Sequence, residues 1–193
     1  QRGLNALQQV TRQQQLEQAQ QGIAKQNALR QLLADPTNAD PIKREAAALA
    51  AAANAADRTI DVHIKVDTGM HRAGVQPREL VMLAKFVDSF ESLNIQGVYT
   101  HFAVADEPTH EANAVQLASF ETAVADLAKA GINPPLIHAA NSAATLSNAK
   151  SIFTMVRLGI AMYGLRPGPG VADLCEGLSP AMAIIARVSA VRW

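Results

Sequence analysis

The amino-acid sequence predicts an α/β fold in which helices connect parallel strands. Short runs rich in β-branched residues alternate with longer amphipathic segments from residue 59 onward. Polar residues and glycines follow each short run, as they do at the carboxyl ends of parallel strands. The 193 residues are 49% hydrophobic and 18% charged, which is enough apolar material for one medium domain with a buried core.

The amino-terminal segment differs in composition from the rest of the chain. Glutamine recurs throughout residues 1–35, and apolar residues fall there at roughly helical intervals, so we predict one long, mostly polar helix. Its heptads are too irregular for a coiled coil, and a solvated helix or a disordered tail is the preferred interpretation. Residues 36–44 contain two prolines and form a predicted linker.

The remaining elements follow from periodicity. Alternation predicts four strands, at residues 59–66, 95–100, 135–138 and 153–160. Amphipathic spacing predicts helices at residues 42–56, 79–93, 111–130 and 142–148. Gly131 is a good residue for the end of the third helix, because glycine adopts a left-handed conformation easily. A further strand-like run occupies residues 186–193.

Composition excludes several classes of function. The formal net charge is zero and aromatic residues make up 4%, so no nucleic-acid partner is expected. No apolar run is long enough to span a bilayer, and no signal peptide is visible. Cys175 is the only cysteine, which fits a reducing compartment and a packing role. The chain starts with Gln1 rather than Met and ends within a strand-like run, so we expect a fragment.

Nitrogen-rich side chains lie on or after the four predicted strands. Arg72 and His101 follow the first two strands, His138 ends the third, and Arg157 lies on the fourth. Small residues whose backbone N–H groups could be free lie beside them, namely Ser142 at a predicted helix start, Gly159 and Ile160. Helix starts and exposed amides bind phosphate well, and arginine pairs with carboxylates and phosphates. The pattern therefore predicts an anionic ligand that carries a phosphate.

Other chemistries lack their signatures. The five histidines show none of the short paired spacings of zinc sites, so no metal is expected. A Ser–His–Asp triad would need a strained nucleophile turn such as Gly-x-Ser-x-Gly, which does not occur. Neither Gly-x-Gly-x-x-Gly nor a Walker motif is present, which argues against nucleotide binding.

Four blocks of sequence resemble the alanine racemase family, in the family's order and at about its spacing. They are VHIKVDTGMHRAG at 62–74, THFAVAD at 100–106, HAANSAA at 138–144 and VRLGIAMYGL at 156–165. Residues 178–192 resemble the crossing into the family's C-terminal β domain. The resemblance implies a partial TIM-type (β/α) barrel over residues 45–170 and a truncated β domain over residues 171–193. Residues 1–35 show no resemblance.

The family resemblance implies a pyridoxal-phosphate-dependent isomerase. Its parent activity would be the interconversion of L- and D-alanine, which supplies D-alanine for peptidoglycan in the bacterial cytoplasm. The intact family member would be a homodimer that acts on a small amino acid, with no nucleic-acid or membrane partner. A related racemase that acts on another amino acid, such as serine, is an alternative.

The resemblance also implies a role for each site residue. Arg157 would donate to the pyridine nitrogen of the cofactor, His138 would support Arg157, and His101 would lie by the ring. The phosphate would be held by Ser142, Gly159 and Ile160, with Asn141 beside them. Arg72 would contact the cofactor's phenolic oxygen and the substrate carboxylate. Lys65 would be carbamylated and would fix Arg72; alternatively, it is an ordinary lysine paired with Asp67.

The sequence departs from the family at its catalytic bases. The family's Schiff-base lysine lies on the first barrel strand, and no matching segment is found here. The second base, a tyrosine from the partner subunit's C-terminal domain, would lie beyond Trp193. No catalytic residue is therefore assigned, and the chain is expected to be inactive alone. The alternative from another class is a non-catalytic chimera or relic, in which the Gln-rich helix mediates assembly.

Overall fold

The computed structural model describes residues 40–181, 183 and 185–191. The helix predicted for residues 1–35 lies outside this part of the chain. The described residues divide into two compact units. The first holds the described residues up to Val62 together with Met82–Ile95, and the second holds His63–Val81 and the described residues from Gln96 onward.

Three strands form one sheet with the order β1-β2-β3. They are β1 (Ile60–Lys65), β2 (Leu93–Tyr99) and β3 (Leu136–His138). Strands β2 and β3 are parallel, with Gly97, Val98 and Tyr99 opposite Leu136, Ile137 and His138. The parallel sheet and the intervening helices confirm the predicted α/β class, because helical crossovers connect strands of this kind.

The first unit contains one complete helix and most of a second one. Helix α1 (Pro41–Ala55) begins inside the segment predicted as a linker, with Pro41 in its first turn. The Asp40 side chain accepts a hydrogen bond from the Ile42 N–H at 3.0 Å and so caps the helix. Three alanines at helical spacing bury one face of α1: Ala47, Ala50 and Ala53. Helix α2 (Leu80–Asp88) is shorter than its prediction at residues 79–93.

The second unit is built on helices α3 (Glu111–Lys129) and α4 (Ser142–Ser147). Gly131 follows α3 with φ +83°, which confirms its predicted role at the helix end. Phe120 of α3 is fully buried and meets the Phe153 ring edge-to-face at 5.5 Å. The helices confirm the predictions at residues 111–130 and 142–148 to within one residue.

The fourth predicted strand, residues 153–160, is wrong. This segment runs beside β3 and makes backbone bonds from Thr154 N to Ile137 O at 3.0 Å and from Arg157 N to Ala140 O at 2.9 Å. The Ile137 N–H, however, donates to the Thr154 hydroxyl at 2.7 Å. Because a side chain takes the place of a backbone carbonyl there, no continuous ladder forms. The segment then enters a 3-10 turn, Ile160–Tyr163.

The carboxyl-terminal part of the chain also differs from its prediction. Residues 183 and 185–191 contain no strand, and the side chains of Ile185, Val188 and Val191 are exposed. Alternation alone cannot form a strand without a neighbouring strand to pair with. A 3-10 helix, Pro169–Cys175, precedes this segment. It buries the Cys175 thiol against the Val171 carbonyl, which confirms the predicted packing role.

Candidate functional site

The Arg157 guanidinium lies at the carboxyl ends of β2 and β3. Its NH2 group donates to the Thr100 carbonyl at 2.6 Å and to the Ala139 carbonyl at 3.2 Å. Its NH1 group approaches Nδ1 of His138 at 2.6 Å and donates to that residue's carbonyl at 3.2 Å. The carbonyls of His138 and of the residues directly after β2 and β3 thus fix the guanidinium, and Arg157 lies beside His138 at these strand ends.

A chain of hydrogen bonds runs from Arg157 through two histidines. Arginine has only donors, so Nδ1 of His138 accepts from Arg157 and the proton of this neutral ring is on Nε2. That Nε2–H then donates to Nδ1 of His63, 2.8 Å away. The His138 ring is also stacked on Tyr99 with a centroid separation of 4.9 Å. Arg157 thereby sets the tautomer of both histidines.

The protonation states of this cluster follow from burial and from the cationic neighbour. Burial, the Arg157 charge and His63 together lower the pKa of His138 to about 4, so its ring is neutral at physiological pH. Burial lowers the pKa of Arg157, while Tyr99, whose ring centroid lies 5.1 Å from the guanidinium carbon, opposes that change. The guanidinium remains the charged member of the cluster.

His101, at the end of β2, joins the same cluster. Its Nδ1 lies 3.2 Å from the NH2 group of Arg157 and accepts a hydrogen bond from it, because arginine can only donate. Burial lowers the pKa of His101, and the positive charges of Arg157, Arg72 and Lys65 lower it further. Arg72 and Lys65 therefore act electrostatically on this site. Within the described residues, the Arg72 side chain is exposed and has no hydrogen-bond partner.

The loop after β1 is held by Asp67. Its Oδ1 accepts hydrogen bonds from the N–H groups of Gly69, Met70 and His71 at 3.0–3.1 Å. Burial raises the pKa of the Asp67 carboxyl, but these N–H groups outweigh burial, and the pKa is lowered. The Asp67 carboxylate thus binds the backbone of the loop that carries Arg72, and it does not pair with Lys65.

A second group of polar residues lies at the start of α4. The Ser142 hydroxyl oxygen accepts from the Gly159 N–H at 2.8 Å and from the Ala161 N–H at 3.3 Å. Asn141 caps α4 by accepting from the Ala144 N–H at 3.0 Å. Ile160 begins the adjoining 3-10 turn. The structure thus brings together Ser142, Asn141 and Gly159, as expected.

Three residues that matter here were missed by the sequence analysis: His63, Tyr99 and Gln116. His63 and Tyr99 are strand residues, and nothing in an alternating pattern distinguishes a site-facing ring from an ordinary strand side chain. Gln116 had a signal, because it is a glutamine on the buried face of α3 between Asn113 and Phe120. A polar residue at an apolar position of a helix has hydrogen-bond partners that must come from elsewhere in the fold.

No group of three or more His, Cys, Asp or Glu side chains in the described residues could hold a metal ion. No helix in the described part of the chain has the length and apolar character needed to cross a membrane.

Comparison with known proteins identifies relatives over most of the chain. The family profile described as "Alanine racemase, N-terminal domain" matches residues 24–167 and so includes residues 24–44, where the sequence blocks showed no resemblance. An alanine racemase of Symbiobacterium thermophilum is 45% identical over 132 residues, which cover 68% of this chain and 35% of that protein. An alanine racemase of Treponema denticola is 44% identical over 135 residues, with the same two shares.

Solved structures agree with the sequence relatives. The alanine racemase of Clostridium difficile 630 in complex with cycloserine has a TM-score of 0.68 and 32% identity, over 72% of this chain and 38% of that one. The enzyme from D-cycloserine-producing Streptomyces lavendulae has a TM-score of 0.62 and 41% identity, over 68% and 35%. The chain thus spans about a third of the length of the relatives it matches. It is part of a TIM-type barrel, and it belongs to the alanine racemase family of isomerases.

Proposed function

We propose that this site binds pyridoxal 5'-phosphate and that the complete polypeptide interconverts L- and D-alanine. The relatives named above are alanine racemases, which favours alanine over serine as the substrate. When bound, the cofactor supplies a ring that accepts electrons and stabilises negative charge at the α-carbon of an amino acid. The homodimer and the cytoplasmic location are proposals on the same basis. The boundaries at residues 36, 45 and 171 stay predictions.

The observation that carries this proposal is that one N–H donor of Arg157 remains available to a ligand. Its contacts in the described chain use NH1 and NH2, which leaves Nε–H for a ligand. A donor with no acceptor capacity suits a pyridine nitrogen that carries no proton. The rings of His138 and His101 beside it are neutral because their pKa values are lowered, so neither ring neutralises the positive charge of Arg157. That charge is therefore available to the ligand.

The donors at the start of α4 fit the phosphate end of the same ligand. Because the Ser142 oxygen accepts two N–H bonds, its own O–H is available to donate. The Asn141 carbonyl oxygen is used in capping, so the amide NH2 is the group that this side chain can offer an anion. The backbone N–H of Ile160, which donates to no described residue, completes the proposed set. Gly159 belongs to this set by position, because its own N–H donates to Ser142.

The substrate side of the site is the exposed cation Arg72. An arginine pairs with the carboxylate of an amino acid through two parallel donors. We propose that Lys65, once carbamylated, is the anion that orients Arg72, and that His101 lies by the cofactor ring and orients the catalytic tyrosine. These roles give every catalytic proton transfer to groups outside this chain, in accord with the absence of an assigned catalytic residue.

Binding of the cofactor without covalent attachment tests the site. We expect pyridoxal phosphate to bind the 193-residue chain reversibly, measured by equilibrium dialysis, and Ser142→Ala to weaken that binding about 10-fold through loss of a hydrogen bond to a charged group. Unphosphorylated pyridoxal is the control ligand. It should bind more weakly than pyridoxal phosphate, and with the same affinity to the unsubstituted chain and to Ser142→Ala.

Ser147→Ala is the matched control variant. It removes a hydroxyl from the same helix that bonds only to the Ala143 carbonyl, so it should leave the affinity for pyridoxal phosphate unchanged. Equal losses in Ser142→Ala and Ser147→Ala would show that α4 matters only for folding. If neither ligand binds, the proposed cofactor site is wrong for this chain.

The expected absence of a Schiff-base lysine gives a second testable result. Incubation of the chain with pyridoxal phosphate should produce no absorbance band that survives dialysis and then disappears with borohydride. Lys65 is the only lysine on a strand of the described chain, and its proposed role is to become an anion. Mass spectrometry after borohydride treatment checks this directly. A stoichiometric adduct on one lysine would contradict the prediction of an inactive chain and would name the attachment residue.

A further inference from the structure

Gln116 is a buried polar residue for which the proposed cofactor chemistry has no use. It lies on α3, is 2% exposed, and shares the buried face of the helix with Phe120 and Leu127. A buried amide costs free energy unless its donors and acceptor are all satisfied. The partners that satisfy Gln116 therefore explain why a polar residue occupies this position.

The amide of Gln116 bonds to two different loops. Its Oε1 accepts from the Ala103 N–H at 2.9 Å, which fixes the orientation of the amide because an N–H can only donate. Its Nε2 donates to the His101 carbonyl at 3.1 Å and to the Thr68 hydroxyl at 3.4 Å. His101 and Ala103 belong to the loop after β2, and Thr68 belongs to the loop after β1.

The two loops also meet each other beside this amide. The hydroxyls of Thr68 and Thr100 lie 2.7 Å apart. Gly69, with φ +140°, packs so closely that a Cβ atom there would lie 3.2 Å from Cγ of Gln116. One side chain on α3 thus contacts the loop that carries Arg72 through both its polar end and its aliphatic stem.

We propose that Gln116 is a positioning residue that ties the loop after β1 to the loop after β2 and so holds Arg72 and His101 in fixed register. Gln116 acts on the ligand only through these two residues. The roles of Arg72 and His101 at the ligand rest on the proposed function. The connection between the two loops is a property of the chain without any ligand.

Hydrogen exchange of the full chain tests this tie. Gln116→Met keeps the size of the side chain and removes all three hydrogen bonds. We expect the amide of Ala103 and the amides of residues 69–71 to exchange about 3- to 10-fold faster, the factor that one typical hydrogen bond supplies. Gln116→Glu keeps the acceptor for Ala103 and loses both donors. It should leave Ala103 protected and speed exchange only in residues 69–71.

Leu127→Ala is the matched control. Leu127 is fully buried near the far end of α3, eleven residues from Gln116, so its loss should lower protection across the helix without preference for the loops. Gln116→Asn keeps an uncharged amide in the buried site but shortens it by one methylene group, so it keeps the test decisive even if the Met variant fails to fold.

The imidazole of His101 gives a readout that packing alone would not change. In the Met variant the loop opens, water reaches the ring, and the NMR titration of His101 should move up toward its ordinary pKa. The cations Arg157, Arg72 and Lys65 that face it would also move apart. If the loop amides and the His101 titration change no more in Gln116→Met than in Leu127→Ala, Gln116 is a packing residue only. Neither measurement uses pyridoxal phosphate, so a failure here is distinct from a failure to bind the cofactor.

Discussion

At the residue scale, the histidine chain depends on a glycine. The His63 ring lies over Gly97 of β2 so closely that a Cβ atom there would be 2.4 Å from Nδ1 of His63. That nitrogen is the atom that accepts from Nε2 of His138. Glycine at position 97 therefore provides the space that the His63 ring occupies at the end of this series of hydrogen bonds.

We expect Gly97→Ala to displace the His63 ring and break its hydrogen bond with His138. Long-range nitrogen NMR of the histidine rings checks this, because the Nε2 proton of His138 should then exchange rapidly with water. Gly177→Ala is the matched control, since a Cβ atom there meets nothing within 4 Å. Unchanged His138 signals in Gly97→Ala would mean that the strand yields instead of the ring.

The residues at strand ends were predictable, and their partners were not. Position at a strand end was enough to place His138 and His101 together, because parallel strands end at one edge. Arg157 joins them although its predicted strand does not form. Nothing local showed that the Asp67 carboxylate would bind backbone N–H groups, because turn geometry decides that choice. Gln116 could have been noticed as a polar residue on an apolar helix face, but its partners come from loops 13 to 48 residues away.

At the scale of elements, helices were predicted better than strands. The helix at residues 111–130 has its own cap, its own periodicity and its own terminating glycine, all of which are local. A strand exists only through a neighbour, so the run at 153–160 had the right composition and still lacks a ladder. Thr154 interrupts the ladder at this point, because its hydroxyl oxygen accepts the hydrogen bond from the Ile137 N–H.

Thr154→Val should therefore weaken the edge of β3 rather than complete a strand. The Ile137 N–H loses its acceptor, and the expected cost is about 1 kcal/mol in the free energy of unfolding. Chemical denaturation measures that cost, and amide exchange at Ile137 locates it. Thr154→Ser should retain the bond and most of the stability.

Thr122→Val supplies the comparison for this prediction. The Thr122 hydroxyl is equally exposed, but it donates to the Ala118 carbonyl within α3, so its loss leaves no N–H without an acceptor. A gain of stability in Thr154→Val, or equal effects in the two valine variants, would contradict the interpretation of the 153–160 segment.

At the scale of the whole molecule, neutral histidines link the site to stability. The pKa of His138 is about 4 in the folded chain and about 6.5 for an unperturbed histidine. As the pH falls, the unfolded chain takes up this proton first, so protonation favours unfolding. The contribution of His138 to stability is complete above pH 6.5 and is lost between pH 6.5 and 4. The lowered pKa of His101 acts in the same direction.

We therefore expect the free energy of unfolding to fall between pH 7 and 4.5, by no more than about 1.4 kcal/mol per pH unit for each histidine. Asp67, whose pKa is lowered from 3.8, contributes its own loss only at lower pH, so this window isolates the histidines. In His138→Asn the amide oxygen can still accept from Arg157, and the slope should become shallower. His110→Asn should keep the original slope, because His110 is an exposed cap of α3 and asparagine caps helices equally well. Urea unfolding at four pH values tests this expectation. Equal slopes in wild type and His138→Asn would mean that the pKa of His138 is the same in the folded and unfolded chains and is not lowered by folding.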